Sequence, residues 1–199
     1  YDDARDLSQM RLTDVFEVSY EIMDGLIVKS DWSFDLLKVD EYLFANGRYG
    51  DGRRIGGYAN EGGISQTNWL GTQSIQFTPR DTGNHNMNFF AAYEAQKVKT
   101  RTIELQGEGF SHPDLKFAAS AANPTQAYSA RSDYAFQSYF ARANYDYNSE
   151  YFLSMSFRRD GSSRFGPDQR WGTFGSIGVG WNMTRLIESV GFVDFLKLR

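Results

Sequence analysis

Apolar and polar residues alternate with period two from one end of this chain to the other. That pattern leaves few folds open, because successive side chains of a β-strand point to opposite faces of its sheet. In VFEVSYEI, Phe16, Val18, Tyr20 and Ile22 share one face while Glu17, Ser19 and Glu21 take the other. After the turn signal Asp24-Gly25, Leu26, Val28, Trp32, Phe34 and Leu36 oppose Lys29, Asp31, Ser33 and Asp35, which predicts a tight hairpin. A weaker run sets Trp69, Ile75 and Phe77 against Thr72, Ser74 and Gln76. Met87, Phe89, Ala91, Tyr93 and Ala95 then oppose Asn88, Glu94 and Gln96, with Phe90 breaking the polar side. Tyr139, Ala141, Ala143, Tyr145 and Tyr147 face away from Arg142, Asn144 and Asp146, and beyond a turn at Asn148 to Glu150, Tyr151, Leu153, Met155 and Phe157 face away from Ser154, Ser156 and Arg158. Ile177, Val179, Trp181 and Met183 oppose Ser176, Gly178, Gly180 and Asn182, and in DFLKLR a new alternation begins, Leu196 and Leu198 against Lys197 and Arg199. Composition agrees: 16 Phe, 12 Tyr and 4 Trp coexist with a mean hydropathy of -0.53, which requires the two kinds of residue to interleave.

The connections narrow the fold further. Those at Asp24-Gly25, Arg80 to His85 and Asn148 to Glu150 read as short, and those over Val39 to Asn68, Thr100 to Ser132 and Arg159 to Trp171 as long. Successive connections of an up-and-down meander fall on opposite rims, so strict alternation of short and long puts every long loop on one side. Outer-membrane barrels have that asymmetry. Tyr20, Phe77, Phe89, Tyr145, Tyr147 and Tyr151 gather beside the short turns, as a membrane-interface girdle requires. A soluble antiparallel sandwich also alternates, but its strands average about 5–6 residues, shorter than these runs. The expectation is an all-β segment of a large antiparallel transmembrane barrel, about seven strands and the start of an eighth, with residues 1–199 one portion of it and no signal peptide in this chain.

Charge and motifs exclude other classes. A net charge of -4 without a basic stripe argues against nucleic acid. No Cys is present, so disulfides and thiolate metal sites are excluded. His85 and His112 are too far apart for a local metal motif. No nucleophile has a neighbouring base and no phosphate or dinucleotide loop occurs, so neither catalysis nor a cofactor is expected. Two sets of residues remain as candidates. In the stretch from Val39 to Asn68, Tyr42, Phe44, Tyr49 and Tyr58 offer rings that could stack on sugars or pack against a partner or other loops. In Arg158 to Phe174, Asp160-Gly161 and Gly166-Pro167 read as turns, Arg164 and Arg170 lie in reach of Asp160 and Asp168, and Trp171 re-enters the sheet. Arg158 shares the polar face of Ser154 and Ser156, with Asp146 on the preceding strand as its expected partner. Loop stapling and a ligand site are both open readings of this stretch.

The run YFLSMSFRRDGSSRFGPDQRWGTFGSIGVGWNMT, continuing to FLKLR, resembles the barrel signature of the SusC/RagA family of TonB-dependent outer-membrane transporters of Bacteroidetes. YFARANYDYNSEY and NFFAAYEAQK are similar to the same family, and the detailed resemblance covers about Ser132 to Arg199. It implies a 22-stranded barrel with a plugged lumen, a location in the outer membrane among its lipids, contact with TonB through a plug region, and a SusD-like surface lipoprotein as partner; neither the plug nor the TonB-contacting segment is expected in this chain. The imported nutrient would be an oligosaccharide, a peptide or another large molecule. A soluble or surface-attached β-sheet binding module, such as an adhesin or glycan-binding domain, is the competing reading of the alternation alone.

Overall fold

The computed structural model describes residues 3–80, 82–183 and 197–198. They form one eight-stranded sheet whose spatial order is the chain order, a pure meander. The strands are β1 (Ala4–Met23), β2 (Leu26–Ala45), β3 (Tyr58–Phe77), β4 (His85–Glu108), β5 (Asn123–Tyr147), β6 (Tyr151–Ser162), β7 (Trp171–Asn182) and β8 (Lys197–Leu198). β8 pairs with β7 through Trp181 opposite Leu198 and Asn182 opposite Lys197. The strand start in LKLR is therefore paired, while Leu196 and Arg199 of that expectation lie outside the described residues.

Local chemistry explains the tight ends. Between β5 and β6, Asn148 and Ser149 hold φ of 56° and 55°, the signs a type I′ turn needs, and Asn is among the residues that tolerate them. The Asp146 carboxylate accepts the Ser149 N–H at 3.2 Å, and Glu150 N–H donates to the Tyr147 carbonyl at 2.9 Å. At the β1–β2 turn the Gly25 carbonyl accepts Thr78 N–H at 2.7 Å.

The long loops are much shorter than the alternation indicates. The connection placed over Val39 to Asn68 occupies only 46–57, that over Thr100 to Ser132 only 109–122, and that over Arg159 to Trp171 only 163–170. β2 to β5 run 20 to 25 residues each. Apolar–polar alternation marks a strand only while its two faces meet different media. Where both faces meet water the pattern fades, yet the hydrogen-bond ladder continues, because it is built from backbone groups that must be satisfied whatever the side chains are.

Two compact units divide the sheet. The first gathers the strand segment up to Asp14 with Phe34–Trp69 and Lys97–Tyr134. Its small core is Phe44, Ala59 and Ala118, with Ala4, Tyr42 and Phe110 packed against it. The second gathers Val15–Ser33, Leu70–Gln96 and the chain from Ala135. There the registers put Tyr145, Leu153 and Val179 side by side, and likewise Ala143, Met155 and Ile177. This apolar face is uncovered: Ile177 is 76% exposed, Val179 69% and Trp32 47%. A sandwich would bury these side chains under a second sheet, and all eight strands belong to one.

Candidate functional site

In the second unit, β6 carries Ser154, Ser156, Arg158 and Asp160 on the face opposite Leu153 and Met155. They lie level with Asn144, Arg142, Phe140 and Ser138 on β5 and with Gly178, Ser176, Phe174 and Gly172 on β7. The Ser156 and Ser176 hydroxyls hydrogen-bond at 2.7 Å, and Thr72 Oγ1 donates to Glu94 Oε2 at 3.3 Å. Near the short-turn end a hollow of about 750 Å³ is lined by residues of both faces, Asn144, Asp146 and Ser154 together with Tyr145, Leu153 and Val179.

Arg158 does not pair with Asp146. Its Nε donates to both carboxylate oxygens of Asp160, at 2.9 and 2.7 Å. The register explains why: Asp146 stands opposite Phe152, six residues short of Arg158, and takes Asn86 Nδ2 at 3.0 Å instead. Phe140 and Phe174 flank Arg158 from the two neighbouring strands, and Phe90 meets Phe140 at 5.8 Å. This band of rings on a polar face was legible only at Phe90, where the alternation breaks. Phe140 and Phe174 carry no such signal, because the positions beside them fit the apolar pattern so well.

The Arg158 to Phe174 stretch is mostly strand. Asp160-Gly161 is not a turn; both residues belong to β6, and Gly161 pairs with Trp171. Glycine is needed there for space, since a Cβ at Gly161 would lie 2.8 Å from the Trp171 indole. Arg159 lies over the same indole, 4.9 Å from the ring centre, a cation–π contact. The true turn is 163–170, where Pro167–Gln169 form a 3₁₀ turn after Gly166. Backbone groups close it: Ser162 N–H donates to the Arg170 carbonyl at 3.0 Å and Gln169 N–H to the Gly166 carbonyl at 3.1 Å. Arg170 Nε reaches the Phe165 carbonyl at 3.3 Å rather than a carboxylate, Arg164 N–H donates to Ser162 Oγ at 3.3 Å, and Asp168 is exposed in the first turn. Ser163 N–H and hydroxyl both engage Ala135, at 2.9 and 2.8 Å, which fastens the loop to β5.

The four aromatic candidates belong to the first unit and do not converge. Phe44, 2% exposed, meets Phe110 edge-on at 5.3 Å. Tyr42 lies 6.0 Å from Phe117, and its hydroxyl donates to the Lys116 carbonyl at 2.9 Å. Burial pushes the Tyr42 phenol up, and Glu61 adds to the effect. Tyr58 begins β3, beside a cleft of about 410 Å³ shared with Asp3, Arg5 and Ile55; burial raises its phenol as well, helped by Glu104 and Glu108. Tyr49 alone presents a free ring, at 56% exposure. Two of the four thus join loop 109–122 to strand β2, assisted by Phe110 N–H donating to the Gly56 carbonyl at 2.8 Å and Ala118 N–H to Glu61 Oε1 at 2.7 Å. Phe110 and Phe117 were not legible as their partners, since the 65 and more residues between them and Tyr42 carry no local signal. Tyr42→Phe removes one hydrogen bond, worth about 0.5–1.5 kcal/mol. Amide exchange across 109–122 of the full-length protein is expected to speed up by about tenfold or less, with strand β6 unchanged.

No protein-family model matches the chain. Over 175 residues it is 28% identical to a TonB-dependent receptor of Formosa agariphila, covering 85% of the chain and 17% of that protein. Over 53 residues it is 42% identical to the TonB-dependent receptor SusC of Bacteroides thetaiotaomicron, covering 26% of the chain and 5% of SusC. The solved structure of the RagAB peptide transporter superposes with a TM-score of 0.82 at 18% identity, over 92% of the chain and 21% of the other. That last likeness is one of fold: the sheet matches a stretch of barrel wall. The chain spans about a fifth or less of the length of each of these proteins.

Proposed function

We infer that this chain, which belongs to the SusC/RagA family of TonB-dependent receptors, forms part of the wall and outer loops of an outer-membrane importer of large nutrients. The observation that carries the reading is the uncovered apolar face of β5 to β7, set against an opposite face that carries Ser154, Ser156 and Arg158. A barrel in lipid turns its apolar side outward and its polar side to the lumen. The chain then supplies surface and shape, and the work of import falls to TonB acting through a plug elsewhere in the receptor. Oligopeptides and oligosaccharides are the substrate classes, and a SusD-like surface lipoprotein is the partner. RagAB, whose fold the chain shares, is described as a peptide importer with open and closed states, which supports this assignment.

The chain contains no Cys, so single cysteines can be labelled cleanly here. In the full-length receptor reconstituted into liposomes, a nitroxide at position 153 is expected to be reached by dissolved oxygen and shielded from a nickel chelate, and one at position 156 the reverse. Identical accessibility at the two sites overturns the reading. Arg164→Ala in the same receptor should leave nutrient binding intact, because the loop is held by backbone bonds and exposed pairs contribute only about 0–1 kcal/mol; lost binding in a folded barrel would make 163–170 a ligand site.

A further inference from the structure

One surface strip carries charge that the transport reading does not use. Along β4 one face reads Met87, Phe89, Ala91, Tyr93 and Ala95, and then Lys97, Lys99 and Arg101, before Ile103 and Leu105 resume it. On β5 the face of Tyr145, Ala143, Ala141 and Tyr139 gives way in the same direction to Asp133 and Arg131. Arg131 grips Asp133 at 2.6 Å. Its hydrogen bond chiefly holds that carboxyl below its ordinary range, and Lys99 and Lys97 stand close enough to add to the effect. Three cations, Arg131, Lys99 and Lys97, thus act on one carboxylate, which Arg131 already occupies. Among the described residues Lys97, Lys99 and Arg101 make no ion pair of their own.

We propose that Lys97, Lys99, Arg101 and Arg131 form a strip that binds the phosphate groups of lipid headgroups. This rests on the membrane reading above. The strip continues the lipid-facing side of β4, so the first molecules it meets are lipids rather than nutrient or lumen contents. Lys97 follows Tyr93 by four residues, about 13 Å along a strand and about 10 Å along the membrane normal at a tilt near 40°. A headgroup layer begins just outside an interfacial aromatic ring, and Lys and Arg stems reach several ångströms toward it. Alternate residues of a strand stand about 6.6 Å apart, so the three β4 cations can each meet a separate headgroup.

The test uses the full-length receptor in phosphatidylcholine vesicles, with and without phosphatidylglycerol, and native mass spectrometry of the lipids it retains after extraction. A basic residue at an anionic surface contributes about fivefold in affinity, so K97Q/K99Q/R101Q should weaken phosphatidylglycerol retention about 100-fold. K38Q, whose lysine is paired with Asp40 at 2.8 Å, should leave it unchanged. The triple variant should insert into phosphatidylcholine alone as wild type does. Wild-type retention by the triple variant overturns the proposal, and so does displacement of the lipid by equimolar inorganic phosphate or preferential capture of a soluble polyuronate. Failure of the unaltered receptor to enter either vesicle would instead overturn the membrane reading, and the strip's role with it.

Discussion

Arginine at Met155 is expected to block most assembly of the full-length receptor into bilayers, while arginine at the adjacent Ser156 leaves assembly close to wild type. Met155 lies between Ala143 and Ile177 on the apolar face. That face is bounded by two rows of rings. Tyr147, Tyr151 and Trp181 follow one another at 6.5 and 6.0 Å near the short turns, and Tyr93, Tyr139 and Trp171 at 5.2 and 6.0 Å toward the other end. From Trp181 to Trp171, β7 advances about 33 Å, or about 25 Å along the normal after tilt, which is the height of the apolar band of an outer-membrane barrel. Met155 sits near its middle. A cation there costs about 2–4 kcal/mol, falling to about 0–1 near the interfaces, so Leu153→Arg, one step closer to the Tyr151 row, should be milder. Ser156 lies on the wet face, beside Ser176. Folding into liposomes, followed by heat-modifiable gel mobility, measures the difference. Equal yields for Met155→Arg and Ser156→Arg would mean that this face does not meet lipid.

Valine at Gly161 should cost about 1–3 kcal/mol of barrel stability, the usual range for forcing bulk into a filled site, and valine at Gly71 a similar amount. Each glycine lies beneath an indole from the neighbouring strand. A Cβ at Gly71 would come within 2.7 Å of the Trp32 ring, as one at Gly161 would within 2.8 Å of Trp171. Neither glycine has a positive φ, so the penalty comes from the displaced ring. Trp171 would also leave its contacts with Arg159 and Tyr139. Gly166 makes the control, since a Cβ there meets nothing within 4 Å, and Gly166→Val should be close to neutral. Denaturant unfolding in detergent micelles gives the ranking. In a double-mutant cycle, Trp171→Ala should recover part of the Gly161→Val loss, because the clash disappears with the ring. Strict additivity, or wild-type stability of Gly161→Val, would remove the indole from the explanation.

The sequence by itself determined the meander, which residues of a strand share a face, and the tight turns at Asp24-Gly25 and Asn148 to Glu150, whereas the connection read at Arg80 to His85 spans 78–84. Within the band bounded by Tyr151 and Trp171 the two faces of the sheet differ so sharply in medium that a one-residue slip would turn every side chain to the wrong side. Lys197–Leu198 as a strand and Arg158 on the face of Ser154 and Ser156 follow from that period alone. Where the medium ceased to differ, the period said nothing. Strands β2 to β5 continue through Tyr42, Phe44, Tyr58 and Lys97 to Arg101, and only the paired backbone reveals it. Partners were equally out of reach. Arg158 takes Asp160 rather than Asp146 because register sets which residues stand level, and Tyr42 takes Lys116 because a loop 74 positions away folds onto it. Gly161 looked like a turn residue in sequence, where glycine most often signals backbone freedom. The tertiary structure gave it the opposite part, a flat place in a strand where an indole can lie, because only the pairing of β6 with β7 brings Trp171 over it.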